Sequence, residues 1–246
     1  MKQFFTVYLL LFLAGCATPL PQTPPSGVAA QVPAPGIQSG AEWSYRVRDG
    51  FTGLPRPSER YRVTEVAGDR VTVTVSREGA NDEIQLYDRQ WNWLNHPATN
   101  LQAFNYNPAY PAYVFPLAAG RTWNARLMAT DPASGQRFPL TLDGVVLGWE
   151  RVKVPAGEFD ALKVRRVVFL DYYEANVRGR SEIVEMEWYS PTVNQAVRRE
   201  TSARYLSYHA ENESGFLKVR GRGGGGGPRF VSDDWLIYEL ETYSVR

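Results

Sequence analysis

The chain has one cysteine, Cys16, among 246 residues, so it can form no disulfide within itself. Histidine is almost as scarce, because His96 and His209 lie far apart and neither has neighbours with the spacing of metal ligands. Basic and acidic residues are balanced at 27 and 26, which leaves no charge excess that would attract nucleic acid. We therefore expect a fold held by apolar burial, with no metal, no other cofactor and no nucleic-acid partner.

A secretory signal precedes Cys16. Lys2 is followed by a short apolar run, residues 4–13, and then by Leu13-Ala14-Gly15-Cys16. The run is too short to span a bilayer and has the features of an export signal. The tetrapeptide resembles the lipobox of bacterial lipoproteins, in which the cysteine is acylated and becomes the first residue of the mature chain. The resemblance implies a lipid on Cys16 and, since Ala17 follows, placement at the periplasmic face of the outer membrane rather than at the inner membrane.

Composition divides the chain into three segments. Residues 1–15 are the predicted signal peptide. Residues 16–40 contain proline, alanine, glutamine, serine and threonine but no charge, which predicts a disordered tether after the lipidated cysteine. As extended polyproline the tether would reach roughly 70 Å. Residues 41–246 are predicted to form a single domain.

The domain has the alternation of β-strands almost throughout. Trp43, Tyr45 and Val47 alternate with polar residues, and the runs 61–63 and 71–75 flank a predicted hairpin at residues 67–69. Further strand-like runs cover residues 140–147, 151–154, 159–173, 183–189, 197–208, 216–220 and 230–245. A glycine run, residues 223–227, leads to a proline instead of the Gly-Lys-Ser of a phosphate loop, so we predict a hairpin loop there. The expected fold is all-β, as an antiparallel barrel, half-barrel or curved sandwich.

A predicted hairpin carries the second resemblance. Pro155 and Gly157 suit a tight turn between the apolar residues Val154 and Phe159. The stretch 148–164 around it, together with residues 115–123 and 188–200, resembles a pattern in uncharacterised β-rich envelope lipoproteins. That resemblance implies a fold and brings no catalytic residues. At the level of fold the chain is also similar to the lipoprotein carriers LolA and LolB.

Aromatic residues crowd between Tyr87 and Trp123, among asparagines and prolines that interrupt regular strands. Rings on a long irregular loop can line a cleft for a sugar or an acyl chain. The alternative is that the same rings pack as core, where large aromatics contribute much of the buried area. The candidate ligand surface consists of Trp91, Trp93, Tyr106 and Trp123.

Two acidic residues, Glu185 and Glu187, lie on one face of a predicted strand about 6.6 Å apart. Carboxylates near this separation serve glycoside hydrolysis. Four nearby arginines favour cross-strand ion pairs on a solvated face instead: Arg165, Arg166, Arg178 and Arg180. No Gly-x-Ser-x-Gly motif is present, and we predict no catalytic residue.

Three functions are consistent with these features. The first is a non-enzymatic, membrane-anchored lipoprotein that binds a hydrophobic or glycan component of the envelope, or a protein partner. The second is a structural or assembly subunit, and the third is a periplasmic hydrolase that uses acidic residues. A continuous apolar cavity would indicate the first, and a closed, filled barrel with an exposed apolar edge the second. A cleft with two carboxylates of unequal pKa would indicate the third.

Overall fold

The computed structural model describes residues 20–98, 103–172, 178–207 and 229–245. Cys16, the signal peptide, His209, the strand predicted at 216–220 and the glycine run 223–227 lie outside the described residues. The described residues form twelve strands: β1 (Glu42–Asp49), β2 (Pro55–Ala67), β3 (Arg70–Arg77), β4 (Glu83–Asp88), β5 (Trp93–Pro97), β6 (Ala103–Tyr110), β7 (Thr122–Thr130), β8 (Arg137–Val154), β9 (Gly157–Leu170), β10 (Arg178–Ser190), β11 (Gln195–Ser207) and β12 (Arg229–Ser244).

The strands form a closed antiparallel barrel. Each strand pairs with its neighbours in sequence, and β12 pairs with β1 from Glu42↔Ser244 to Asp49↔Leu236. This confirms the predicted all-β fold and identifies its architecture as the barrel. Closure matters because it gives every strand two partners and removes the free edges at which sheets aggregate.

Alternate residues of each strand fill the barrel interior. In β3, Val71, Val73 and Val75 are at most 1% exposed, whereas Thr72 and Thr74 between them are only partly buried. This is the period-2 pattern expected of a sheet with one face on the core. The alternating residues seen in the sequence therefore become an inner and an outer surface.

The tight hairpin predicted at Pro155 and Gly157 is present. Val154 ends β8, Gly157 begins β9, and the two residues pair directly. Gly157 has a φ of +133°, and a Cβ at this position would meet nothing closer than 3.9 Å. Backbone conformation, and not lack of space, is therefore the reason for glycine here.

The aromatic-rich stretch is not the long irregular loop that the sequence predicts. Residues 93–97 and 103–110 form β5 and β6, which pair with each other and with β4 and β7. Ladder pairing tolerates the asparagines here, since Asn95 lies opposite Asn105 and donates a 2.7 Å hydrogen bond to it. The rings are therefore carried on barrel strands and on the turns that join them.

The segment predicted to be a disordered tether is in contact with the barrel from residue 20 onward. Val32 is 2% exposed and exchanges two backbone hydrogen bonds of 2.8 Å with Leu117, and Ile37 is 7% exposed. We call residues 20–40 the N-terminal strap. Val32 and Ile37 bury apolar surface that a count of prolines overlooks, so this part of the predicted tether packs against the barrel.

The up-and-down order gives the barrel two distinct ends. The connections from β1 to β2, β3 to β4 and the later odd-to-even pairs lie at one end, which we call the upper end. The strap precedes β1 and contacts the β6–β7 connection, so it crosses the opposite, lower end. Among the described residues, no helix has the length and apolar character needed to cross a membrane.

Candidate functional site

A charged cluster lies inside the barrel where β9 and β10 pair. Arg166 is fully buried and lies directly opposite Glu185 in the ladder. Its Nε is 2.6 Å from Glu185 Oε2, and its Nη2 is 3.0 Å from Glu187 Oε1. Since alternate residues of a strand face the same way, Glu185 and Glu187 both point inward to this one guanidinium.

Hydrogen bonds from the β6–β7 region complete the cluster. Tyr110 donates a 2.6 Å hydrogen bond to Glu185, Tyr113 donates one to Glu187, and Arg166 Nη1 donates to the carbonyl of Ala112 at 2.9 Å. Burial alone would raise the pKa of Glu187, but the charge and hydrogen bonds of Arg166, with Tyr113, lower it overall. The cluster therefore holds its charges in place rather than leaving a free acid or base.

A second guanidinium, that of Arg199 on β11, is bound differently. Its central carbon lies 4.6, 4.7 and 4.5 Å from the ring centres of Tyr45, Tyr61 and Tyr238. Among the described residues, its buried Nε and Nη2 atoms have no hydrogen-bond partner. Burial opposes the charge of Arg199, but interactions with the tyrosines and Glu187 raise its pKa well above the usual value. Arg199 is thus a charged group with unused donors inside the barrel.

Arg199 borders a cavity in the upper half of the barrel. Its volume is about 80 Å³. Glu59, Gln85, His96 and Glu187 also line it. A smaller cavity of about 20 Å³ lies on the side of Arg199 nearer the lower end. The interior is therefore mostly filled, and the space that remains is lined by charged groups and aromatic rings together.

A third charged group completes the wall of this cavity. Arg77 on β3 lies 2.7 Å from Glu59 and 3.0 Å from Glu83, and Tyr61 donates a 2.5 Å hydrogen bond to Glu59. Gln85 donates to Glu83 at 2.9 Å. The charged side chains that line the cavity are four carboxylates and two guanidiniums: Glu59, Glu185, Glu187 and Asp234, with Arg77 and Arg199. The cavity wall therefore carries a small negative excess.

The four aromatic candidates do not form one surface. Trp93 borders the cavity, but His96 and Tyr110 stack on its two faces with ring centres 3.9 and 4.1 Å away. Trp91 borders the smaller cavity and donates to the carbonyl of Asn194 at 2.9 Å. Both faces of the Trp93 ring are therefore covered, and a sugar ring cannot stack on them. Only the edge of the ring is left to contact a ligand in the cavity.

The other two candidates pack against the barrel. The ring centres of Tyr106 and Trp93 are 6.2 Å apart, and the Tyr106 hydroxyl donates a 3.3 Å hydrogen bond to the carbonyl of His96. The ring of Trp123 lies over Gly144 on the neighbouring strand, where a Cβ would approach it to 2.1 Å. Neither residue borders the two cavities beside Arg199.

The sequence reasoning missed the inward direction of the charges. Glu185 and Glu187 were expected on a solvated face, and this is wrong, although the ion pair with Arg166 is present. The signal was available, since Arg166 has the same parity as the buried Val164 and Val168. A charged residue that alternates in step with the buried apolar residues of its strand points into the barrel.

No group of three or more histidine, cysteine or acidic side chains with the geometry of a metal site occurs in the described part of the chain. His96 stacks on Trp93, and its Nδ1 lies 2.7 Å from the carbonyl of Pro97. Burial lowers the pKa of His96 to about 4, so the ring is neutral at pH 7.

Comparison with known proteins gives a fold likeness only. No family model matches the chain, and no curated protein matches it. A candidate lipoprotein from Parabacteroides distasonis has 16% identity over 87% of this chain and 99% of its own, with a TM-score of 0.47. A candidate exported protein with a YmcC-like fold from Bacteroides fragilis has 14% identity over 89% and 100%, with a TM-score of 0.46.

The hypothetical lipoprotein YmcC from Escherichia coli is also similar, with 8% identity over 84% of this chain and 86% of its own and a TM-score of 0.44. At these identities and TM-scores the likenesses support no statement about activity. The similarity to LolA and LolB stays a prediction.

Proposed function

We propose that the chain is a non-enzymatic lipoprotein, anchored through Cys16 at the periplasmic face of the outer membrane, whose barrel binds an oxygen-rich envelope component such as a glycan. The observation that carries this proposal is Arg199, with two buried donor atoms that have no partner among the described residues. Buried polar groups in proteins are almost always hydrogen-bonded, and a bound ligand or water is the usual explanation for an exception. A ligand oxygen in the cavity would satisfy them.

The chemistry of the cavity favours a neutral polar ligand over an apolar one. Hydrophobic ligands are bound in largely apolar cavities, whereas this one combines the charged Glu59 and Arg199 with aromatic rings such as that of Tyr238. An anionic ligand would meet the small negative excess of the wall. Hydroxyl and amide groups suit it better, because they accept from Arg199 and donate to the carboxylates.

The carboxylates support the non-enzymatic part of the proposal. General acid–base catalysis needs two groups whose environments separate their pKa values. Glu185 and Glu187 instead share Arg166 and each accepts a tyrosine hydroxyl. Both carboxylates are thus acceptors within one ion-paired cluster.

The test is native mass spectrometry of the protein purified from its own host, with and without substitution of Arg199. We expect wild type to carry a polar adduct that Arg199→Met loses. Arg204→Met is the matched control on the same strand, because Arg204 is exposed and its ion pair with Glu182 lies outside the barrel. Urea denaturation shows whether each variant is folded.

Three results would contradict the proposal: no adduct on wild type, an adduct retained by folded Arg199→Met, or an adduct that is an apolar lipid. Membrane fractionation of Cys16→Ala tests the anchor separately. We expect that variant to leave the membrane fraction and lose its acyl chains.

An exposed apolar patch favours a second function, contact with a protein partner in an envelope assembly. Phe51 and Leu54, in the connection between β1 and β2, are 57% and 63% exposed, and Phe51 packs edge-on against Trp235 with ring centres 5.5 Å apart. Isolated exposed apolar residues are ordinary, but clustered ones mark interaction sites. Crosslinking in cells of wild type and of Phe51→Ser with Leu54→Ser tests this function, which predicts a partner band that the double variant loses.

A further inference from the structure

The first residues of the N-terminal strap are seated on β8. The carbonyl of Pro21 accepts a 2.9 Å hydrogen bond from the backbone of Trp149, and Gln22 donates a 2.9 Å hydrogen bond to the carbonyl of Leu147. Gly148 lies between these contacts, and a Cβ there would come within 2.7 Å of the Pro21 carbonyl oxygen. The glycine therefore permits close backbone contact between strap and strand.

This docking site lies in the lower part of the barrel. The pairing of β7 with β8 begins at Thr122↔Val145, so β8 continues beyond its neighbour toward the β8–β9 hairpin. The strap covers the edge of β8 that β7 leaves free, and it then crosses the lower end to reach β1. The chain upstream of Leu20 consequently departs from the lower half of the molecule.

Leu20 lies only four positions after Cys16. Fully extended, this stretch spans at most about 14 Å, against the roughly 70 Å expected if the whole of residues 16–40 were free. We infer that the lipid holds the lower end of the barrel against the bilayer and points the upper end, with its cavity, away from it. This inference rests on the lipidation of Cys16 in the proposed function.

The two ends differ enough in position to be distinguished. Lys153 is exposed in the β8–β9 hairpin at the lower end, and Ala133 is exposed in the β7–β8 turn at the upper end. At strand rise and the tilt usual in barrels, the 17 residues of β8 from Arg137 to Lys153 span about 40 Å along the barrel axis. One probe would lie near the headgroups and the other far outside them.

Fluorescence quenching on vesicles tests the orientation. Cys16 is the only cysteine, and lipidation blocks its thiol. Lys153→Cys or Ala133→Cys therefore provides a single free thiol for a fluorophore. Each lipidated variant is reconstituted on phosphatidylethanolamine–phosphatidylglycerol vesicles that contain a headgroup nitroxide lipid. We expect quenching several-fold stronger at position 153 than at position 133.

Two further variants test the short connection. Insertion of twelve Gly/Ser residues after Ala17, or Gly148→Ala to displace Pro21, should keep the protein on vesicles and reduce the difference between the probes. Equal quenching at both positions in the unmodified strap, or stronger quenching at position 133, would overturn the orientation. Failure of wild type to bind vesicles would instead refute the proposed anchor, so the two failures are distinguishable.

Discussion

Arg166 places a positive charge at the centre of a closed barrel, where Glu185 and Glu187 neutralise it. Removing three charges from water is costly, and such a cluster is weak evidence for net stability. Its partners are nevertheless interdependent, because the loss of one leaves the others buried and unpaired. At the scale of single residues, this dependence leads to two testable consequences.

Arg166→Met should lower the free energy of unfolding by about 3–5 kcal/mol, since it leaves two inward carboxylates without their cation. Arg165→Met is the matched control, because Arg165 is the adjacent residue and is exposed. A surface substitution of this kind is expected to change stability by less than about 0.5 kcal/mol. Urea denaturation of the two variants makes the comparison, and equal losses would contradict the buried cluster.

The same pair of proteins should differ in pH dependence. In wild type the pKa of Glu187 is lowered, so its contribution to stability is present above the ordinary value of 4.5 and is lost as the pH falls through the folded value. In Arg166→Met the largest opposing interaction is lost, and burial raises that pKa against only Tyr113 and Arg199, so acidification from neutral pH should recover stability. Between pH 7 and pH 4.5 this residue should therefore add no change in wild type and a gain in Arg166→Met.

The buried His96 should make the stability of the protein depend on pH independently of Glu187. Burial lowers its pKa from the ordinary 6.5 to about 4, so the unfolded chain takes up the proton first. The contribution of His96 to the free energy of unfolding should be constant above pH 6.5 and should fall as the pH decreases toward 4. His96→Gln should remove the part of the decline above pH 4.5, measured by urea denaturation at each pH. An unchanged decline would show that another group causes it.

At the scale of elements, the N-terminal strap acts as part of the fold. A chain that begins at Leu20 should be as stable as the full domain, whereas one that begins at Gln38 loses Val32 and Ile37. Burial of each side chain contributes roughly 1.5–3 kcal/mol. Urea midpoints of the two truncated proteins measure the difference, and equal midpoints would restore the interpretation of a free tether.

The β8–β9 hairpin offers a second test at this scale. Gly157→Val should cost about 1 kcal/mol or more because the positive φ disfavours a side chain, while the surrounding space is open. Glu158→Gln in the same turn keeps the backbone and alters only an exposed ion pair with Arg151, so it should be nearly neutral. Thermal melts distinguish the two, and equal melting temperatures would contradict backbone strain.

At the scale of the whole molecule, period-2 alternation was sufficient to predict strands and an all-β fold. It could not predict closure, because the pairing of β1 with β12 joins residues nearly 200 positions apart and leaves no local signal. It also could not identify Arg199, whose significance comes from tyrosines on β1, β2 and β12. Those contacts exist only once the barrel is closed.

Closure itself gives the last prediction. A chain that ends at Trp235 lacks the part of β12 that pairs with β1, including Leu240, which is fully buried. Strands β1 and β11 would then each have a free edge, and free edges pair with other chains. We expect this truncated protein to aggregate on size-exclusion chromatography and to lose the cooperative urea transition.

The matched control ends at Thr242 and removes only the last four residues, of which Tyr243 is 40% exposed. It keeps the ladder from Ser44 to Asp49 and should remain monomeric and cooperative. Both truncated proteins keep Arg166, Arg199 and the strap, but the one ending at Trp235 also loses Tyr238 beside Arg199 and the buried Leu240. The difference between them therefore reports the closing half of β12 together with its side chains. A monomeric, cooperative protein ending at Trp235 would mean that the barrel does not need the β1–β12 ladder.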